Sequence, residues 1–532
     1  MRDFIAYAQF LPFWDRLQPE TPFGRGVKES MEIHQDSQAL ERIWEETEVA
    51  LALLTRLEED RVGLSRILHH LKRLPRFCEE PRAIYDEVEI FQFKKFLHNF
   101  KNLLALLGPT VCQRFRLEYD SEALEQRLDT GRQSAESFYV SDAFSEDLAK
   151  VRGEIRETEA ALKHQHELRF AEIQQRWQVD FGSRAFLLMP RQALGAADAA
   201  SDLLLVEPYD EDKYVIRPRS TAEELLLQER RASLLAAERR CETAVLESLS
   251  ACLREELGRF IQYREAITRF DLAFARARLA REYRLVRPAI HSGPISIQGG
   301  RFIPCEESCR ALGTDYVALD GRFDTPATVL FGSNMGGKTV VLKTLAFLQL
   351  CVQAGLFVPA DSYSTRLFHH FHYLGEGHAQ AVAQGLSGFG FEIRQLVEAS
   401  ADFQAPTLVL FDEFARTTNS LEAEAILSAV LEFLQAKTEV MAFFSTHFRG
   451  VRRFTGVRYL RMKGLNRQGL DLDLASGKAL NERIRLIDQR MEFHLVADEG
   501  GADVSDAIAV AGLLGLDPVI ARRAEEFFKS GH

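Results

Sequence analysis

Cysteine is scarce in this sequence. Seven thiols in 532 residues make no disulfide framework. Cys305 and Cys309 have a C-x3-C spacing with no second pair near them, so ordinary thiols are expected rather than a zinc site. Long apolar runs are missing too: no window of about 20 residues is free of charged or polar side chains, which excludes a membrane-spanning helix. The opening MRDFIAYAQFLPFWD has charges inside its apolar run and no small-residue cleavage site, which excludes a signal peptide. Positive charge is in deficit. Lys and Arg number 66 against 78 Asp and Glu, a net charge of −12, so nucleic acid would have to be met by local basic patches. A cytoplasmic protein is expected, with no membrane partner. The chain is 46% hydrophobic and 27% charged, as soluble globular proteins are, and its length suggests about three domains.

Residues 1–35 read as a connector, because LQPETPFGRGVK holds two prolines and two glycines. Residues 36–286 read as a helical region. From Ser37 the apolar residues recur at i, i+3, i+4 and i+7 between charges. AFLLMPRQAL and SDLLLVEPYDEDKYVIRP interrupt that pattern with short β-rich runs, a strand-bearing insert near 180–218. A very long helical pattern follows, capped by Ser220 or Thr221 with Glu223 or Glu224 in its first turn. It exceeds an ordinary globular helix and reads either as a lever or as a plain helical spacer. After Pro288 short apolar runs, ATVLF, TLVLF and VMAFFS, alternate with charged helical stretches, the pattern of a parallel sheet covered on both faces. The expected fold class is therefore α + α/β, with a boundary near 286.

Three strand-end motifs carry the chemistry. FGSNMGGKT at 331–339 fits G-x-x-x-x-G-K-[ST], with a strand at Thr328–Phe331 before it and a helical pattern after it. Gly332, Ser333, Asn334, Met335, Gly336, Gly337, Lys338 and Thr339 would cradle a nucleotide's phosphates on backbone N–H groups and a helix N-terminus. Lys338 would reach the β- and γ-phosphates, and Thr339 would place its hydroxyl on Mg²⁺. TLVLFDEF ends an apolar strand in two carboxylates. Asp412 suits Mg²⁺ through its second shell, and Glu413 suits the water that attacks. VMAFFSTHF ends in Ser445-Thr446-His447, where His447 could sense the γ-phosphate or polarise the water. Candidate catalytic residues are thus Glu413, Lys338 and His447, with ATP and Mg²⁺ as cofactors. HHFH at 369–372 suggests a metal, but strand alternation would split those histidines between two faces.

FGSNMGGKT, GLSGFGFEI, LVLFDEFARTTNS and FFSTHF together resemble the MutS ATPases in order and approximate spacing. The likeness extends to MEFHLVADEGGADVSDAIAVAGLLGLDPVIARRAEEFF, similar to the family's closing helix-turn-helix, which helps join two ATPase domains. Upstream, AITRFDLAFARARLAREYRLVRP resembles the end of the family's lever helices, and KYVIRPRSTAEELLLQERR the return from its clamp. The resemblance implies an ABC-like P-loop ATPase at 287–532 with C-terminal dimerisation helices, a helical core and lever with a clamp-like insert at 36–286, and a homodimer or a heterodimer with a related subunit. It implies that Ser387, in Ser387-Gly388-Phe389-Gly390-Phe391-Glu392, reaches the γ-phosphate of the other subunit, and that 415–420 passes signals between the sites. Departures are Ser333 for the family's proline, Ala415 and Thr417 for glycines, and Gly388 for a threonine.

The family's mismatch-reading domain, with its Phe-x-Glu wedge, is not expected here. Few residues precede the helical region, and Phe77-Cys78-Glu79 and Phe144-Ser145-Glu146 lie in helical surroundings. The small nuclease domain of some relatives is not expected either. Two targets fit such a motor. One is DNA, branched or duplex, met by basic residues such as those of FQFKKFLHNFKN and MPRQ. The other is a protein: TPFG near the start and DEFARTTN resemble MutS-related proteins that reactivate adenosylcobalamin-dependent aminomutases.

Overall fold

The computed structural model describes the whole chain except residues 132–133, 135, 183, 194–201, 333–335, 376–386, 467–479, 501–505 and 531–532. It divides into two compact units: residues 1–65, 109–116 and 267–532, and residues 66–108 and 117–266.

The first unit is built on a six-stranded sheet. Its strands are β1 (Ala327–Phe331), β2 (His370–Leu374), β3 (Thr407–Asp412), β4 (Val440–Thr446), β5 (Val457–Leu465) and β6 (Met491–Ala497), in the order β6-β5-β1-β4-β3-β2. All neighbours are parallel except β5 and β6. Strand alternation sends side chains into two cores. Leu330, Leu408, Leu410, Met441 and Phe443 enter one, and Val329, Phe331, Val409, Phe411, Ala442 and Phe444 the other. Both faces are buried, so the strands read as unbroken apolar runs. Helix Lys338–Gln353 supplies Leu342, Leu345 and Leu350 to the first core; Ser420–Gln435 supplies Leu427 and Leu431 to the second. A four-stranded sheet (Ala289–Ile290, Ile295–Gly300, Leu319–Phe323, Ser362–Thr365) and the helices Asp506–Leu514 and Pro518–Ser530 complete the unit.

Residues 1–35 are not a connector. They form three helices, α1 (Arg2–Tyr7), α2 (Phe10–Trp14) and α3 (Pro22–Glu29). Phe4, Phe10, Phe13 and Trp14 are buried in the same core as the sheet. Each such ring removes enough apolar surface from water to contribute up to ~3 kcal/mol, which outweighs the turn-forming content of the segment. Helix Ser37–Arg56 also belongs here, so the unit boundary is not at 35 or at 286.

TPFG has a packing role. Thr21 is the N-cap of α3 and accepts the Gly24 N–H (2.9 Å), with Pro22 at the first helical position. The fully buried Asp271 accepts from Glu20 N (2.9 Å), Thr21 N (2.8 Å) and Thr21 Oγ1 (2.7 Å). A Cβ on residue 24 would lie 2.4 Å from Asp271 Oδ2, which is why glycine stands there. Asp271→Ala would leave two buried N–H groups and a hydroxyl without their acceptor. At ~1–3 kcal/mol for each unsatisfied group, the unfolding free energy should fall by about 3 kcal/mol or more in a denaturant titration. A loss below about 1 kcal/mol would show that these groups find other partners.

The second unit is mainly helical. Helices Glu87–Leu107 and Glu146–Trp177 and the first part of Ala222–Tyr283 contribute to it. Thr221 caps the last of these and Glu224 closes the capping box: Glu224 N meets Thr221 Oγ1 at 3.2 Å and Thr221 N meets Glu224 Oε2 at 3.1 Å. That helix runs 62 residues, about 93 Å at 1.5 Å per residue. Residues 222–266 lie in this unit and 267–283 in the other. The β-rich runs form a three-stranded antiparallel sheet of Leu187–Pro190, Leu204–Pro208 and Lys213–Pro218. Phe77, the first residue of a Phe-x-Glu triplet, sits in an aromatic cluster with Phe93, Phe96 and Phe260 and is core, not a wedge. Ser145 of the other triplet caps Glu146–Trp177. Among the described residues no helix is long and apolar enough to cross a membrane.

Candidate functional site

The register of the large sheet brings three strand ends together. Asp412 at the end of β3 pairs with Ser445 on β4, and Thr446 pairs with Phe331 at the end of β1. The C-terminal edge of a parallel sheet is where such folds leave a crevice for ligands.

After β1 the chain turns into helix Lys338–Gln353. Its N-cap, Gly337, has φ 88°, a left-handed conformation that glycine adopts freely, and no side chain caps the helix. The helix dipole favours an anion at this end. Lys338 is only 3% exposed; its Nζ donates to Gly332 O (2.7 Å) and lies 3.9 Å from Glu413 Oε1. Burial lowers its pKa, opposed by attraction to Glu413 and Asp412. A buried cation at an uncapped helix start is suited to phosphate oxygens. Ser333, Asn334 and Met335 lie outside the described residues, so their expected contacts rest on sequence.

Asp412 is held on both oxygens. Oδ1 accepts from Thr339 Oγ1 (3.2 Å) and Ser445 Oγ (2.6 Å), and Oδ2 from Tyr7 Oη (3.1 Å). Thr339 and Asp412 thus present hard oxygen donors side by side, the chemistry Mg²⁺ takes. Glu413 has φ 53° and its N–H donates to Ser445 Oγ (3.0 Å). Its Oε2 accepts from Arg416 Nη1 (2.9 Å), while Oε1 is the oxygen near Lys338. Ala415, where the resembling family has glycine, is also left-handed at φ 65°, a strain of ~1–2 kcal/mol for a residue with a Cβ. Its N–H is fixed by Glu392 Oε2 (2.7 Å), a buried pairing.

His447 is exposed beyond the end of β4. Partial burial of its ring lowers its pKa, against attraction to Glu413, and Lys338 and Arg416 lower it further. These groups are therefore electrostatic neighbours. Ser387 is the N-cap of helix Gly388–Ser400, its hydroxyl accepting from Gly390 N (3.1 Å). Of HHFH, His370 and His372 are two apart on β2, share a face, and both reach Asp402, at 3.2 and 2.8 Å, while His369 precedes the strand.

A cavity of about 330 Å³ lies beside the loop, lined by Cys305, Tyr316, Gly337, Thr339, Met462 and Phe493 among others. Burial and the neighbouring Cys309 push the Cys305 thiol up to about 11, so it stays neutral. This wall is suited to an uncharged ring rather than to a metal. The sequence reading missed Arg416, Glu392, Tyr7 and the Asp412 contact of Ser445. Ser445, Arg416 and Glu392 lie within the named motifs and were within reach. Tyr7 is 405 positions from Asp412 and carries no local signal.

The fold is α + α/β with a mainly parallel sheet, and residues 328–530 match the family MutS domain V. That match marks this part of the chain as similar to the MutS family. It is 29% identical over 429 residues to Endonuclease MutS2 of Thermomicrobium roseum, covering 76% of this chain and 50% of that protein. It is 28% identical over 404 residues to Endonuclease MutS2 of Geobacillus thermodenitrificans, covering 73% and 46%. It is 26% identical over 294 residues to DNA mismatch repair protein MutS of Bacteroides thetaiotaomicron, covering 54% and 32%. The chain thus spans about half or less of the length of these relatives.

Proposed function

We propose that the chain is an ATPase that works with Mg²⁺ and uses the nucleotide cycle to move its helical unit on DNA. The observation that carries this reading is the meeting of Lys338, Thr339, Asp412 and Glu413 beyond the ends of β1 and β3, the two strands that flank β4. The phosphates would rest on the N–H groups at the start of Lys338–Gln353 with Lys338 against the β- and γ-oxygens, and the adenosine end would enter the cavity beside Tyr316 and Phe493. Thr339 and Asp412 would hold Mg²⁺, which spreads the charge that develops on the transferring phosphoryl group. Arg416 anchors one oxygen of Glu413 and leaves Oε1 turned towards Lys338, the side on which a water would lose its proton. His447 stands as a neighbouring polar group for that water or the γ-phosphate.

The long helix is shared by both units, so a change at the site has a continuous element through which to act. Val519, Ile520 and Phe527 on the last helix are exposed and apolar, which supports these C-terminal helices as the dimer contact, with Ser387 completing the partner's site. DNA as the target is supported by the relative named as a DNA mismatch repair protein. Two of the basic residues first considered for it are engaged within the chain, while Arg191 of MPRQ is exposed. Lys94 is buried and paired with Asp129 (2.8 Å), and Lys101 is paired with Glu125 (2.6 Å). The alternative, reactivation of an adenosylcobalamin-dependent aminomutase, leaned on TPFG and DEFARTTN; TPFG here caps α3 and packs against Asp271, so no observation favours that target over DNA.

Phosphate release by the full chain tests the proposal, with ATP and Mg²⁺, alone and with duplex or branched DNA at several salt concentrations. Hydrolysis that needs Mg²⁺, and DNA affinity that falls linearly in a log–log plot against salt, are the expected results. Hydrolysis without any DNA affinity at low salt would remove DNA from the account, and no hydrolysis under any condition would remove the ATPase.

A further inference from the structure

The N-terminal helix reaches the proposed metal site. Phe4 of α1 packs edge-on against Phe371 of β2 (5.2 Å), and the Tyr7 ring stacks on Tyr373 of the same strand (4.0 Å, 21°). Lys343, on the helix that starts at Lys338, sits over the other part of this aromatic pair, with Nζ 5.4 Å from the Tyr7 centroid. The ring is thereby fixed by two contacts that do not involve its hydroxyl, and α1 is seated on β2 by Phe4. That hydroxyl donates to Asp412 Oδ2 (3.1 Å) and lies 3.4 Å from the carbonyl oxygen of Thr339. Ser445 and Thr339 hold the other oxygen of the same carboxylate.

Asp412 has one side-chain rotor that matters for its plane, and the two oxygens are pinned from opposite sequence ends. Ser445 comes from the neighbouring strand, as the family's strand-end motif would supply. Tyr7 comes from a helix that the sequence motifs do not include. We infer that Tyr7 is a positioning residue for the divalent cation: its hydroxyl sets the orientation of the Asp412 carboxylate that faces the Thr339 hydroxyl. The inference rests on the nucleotide reading of the site proposed above. It also makes the first seven residues part of the site, because α1 carries the hydroxyl to Asp412.

Groups that orient a metal-binding carboxylate by hydrogen bonding typically change metal affinity or activity by about 10–100-fold when removed. Tyr7→Phe removes the hydroxyl and keeps the ring, its stack on Tyr373 and the contact with Lys343. The probe is Mn²⁺, followed by electron paramagnetic resonance as it is titrated into the full chain saturated with ADP. The Mn²⁺ dissociation constant should rise about tenfold in Tyr7→Phe, near the lower end of that range. Affinity for ADP in EDTA should stay within about twofold of the parent, and so should the melting midpoint within a few degrees, since neither depends on the hydroxyl. An unchanged Mn²⁺ constant overturns the inference. So does an equal loss of ADP affinity in EDTA, which would mark a general disturbance of the site. Should Tyr7→Phe fold poorly, Lys343→Met serves as the control for a loosened ring: it leaves the hydroxyl in place and should not shift the Mn²⁺ constant by the same factor. If the parent chain itself binds no ADP, the nucleotide reading fails, a result distinct from a parent that binds Mn²⁺ with ADP and a variant that does so equally well.

Discussion

Glu413→Ala should lower ATP turnover by about 10²–10⁴-fold while ATP and Mg²⁺ stay bound, because a positioned general base contributes that much to a proton transfer. The geometry supports the base at this position and not at its neighbour. Both oxygens of Asp412 already accept hydrogen bonds, from Thr339, Ser445 and Tyr7. Glu413 is fastened at Oε2 by Arg416 and through its backbone by Ser445, and its other oxygen is the one near Lys338. Alanine there removes the acceptor without touching the helix start that would bind phosphate. Single-turnover rates and filter-bound nucleotide, measured on the same preparation, separate the two effects. Turnover at the parent rate would place the base elsewhere, and His447, an electrostatic neighbour of Glu413, would be the next group to replace.

Lys338→Ala should act earlier, on binding. Charge-assisted hydrogen bonds contribute about 1.5–3 kcal/mol each, so losing this cation should weaken ATP by roughly 10–100-fold or more and bring turnover to background. Burial enlarges the effect. Lys338 is 3% exposed, water screens it little, and its pKa is already lowered by the loss of solvation. The substitution also strips Gly332 O of its donor at 2.7 Å, so a modest fall in thermal stability without ligand should accompany it. Calorimetric titration with a slowly hydrolysed ATP analogue reads the affinity directly. Affinity within twofold of the parent would show that the phosphates bind away from this lysine.

What the sequence made legible follows from how local each signal is. The apolar runs ATVLF, TLVLF and VMAFFS became β1, β3 and β4 because alternation along one strand feeds two cores at once, a property visible within five or six residues. Lys338, Thr339, Asp412 and Glu413 were legible for the same reason: each ends or follows such a run. Thr221 with Glu224 was legible as a capping box. The N-terminal segment was not. Its prolines and glycines promised a connector, yet Pro22 is the first residue of α3 and Gly24 is small because Asp271 occupies the space a Cβ would need. That partner lies 247 positions further on, and no periodicity reports it. Tyr7 is hidden in the same way. In HHFH, His370 and His372 fall on one face of β2, as alternation dictates, but their shared partner Asp402 lies 30 positions beyond His372 and carries no local signal. Lys94, read as a possible contact for DNA, is buried against Asp129 because its stretch of helix faces a phenylalanine core.

The central claim is that ATP and its metal sit on the loop and helix start at Gly332–Thr339, between Lys338 and Asp412. A crystal structure of the full chain with a non-hydrolysable ATP analogue and Mn²⁺, phased on the metal's anomalous signal, tests it most directly. The account predicts triphosphate density on the backbone N–H groups at the start of Lys338–Gln353, and a single Mn²⁺ peak beside Thr339 Oγ1 on the side that Asp412 faces. Nucleotide density elsewhere, or a metal peak away from Thr339 and Asp412, would contradict it.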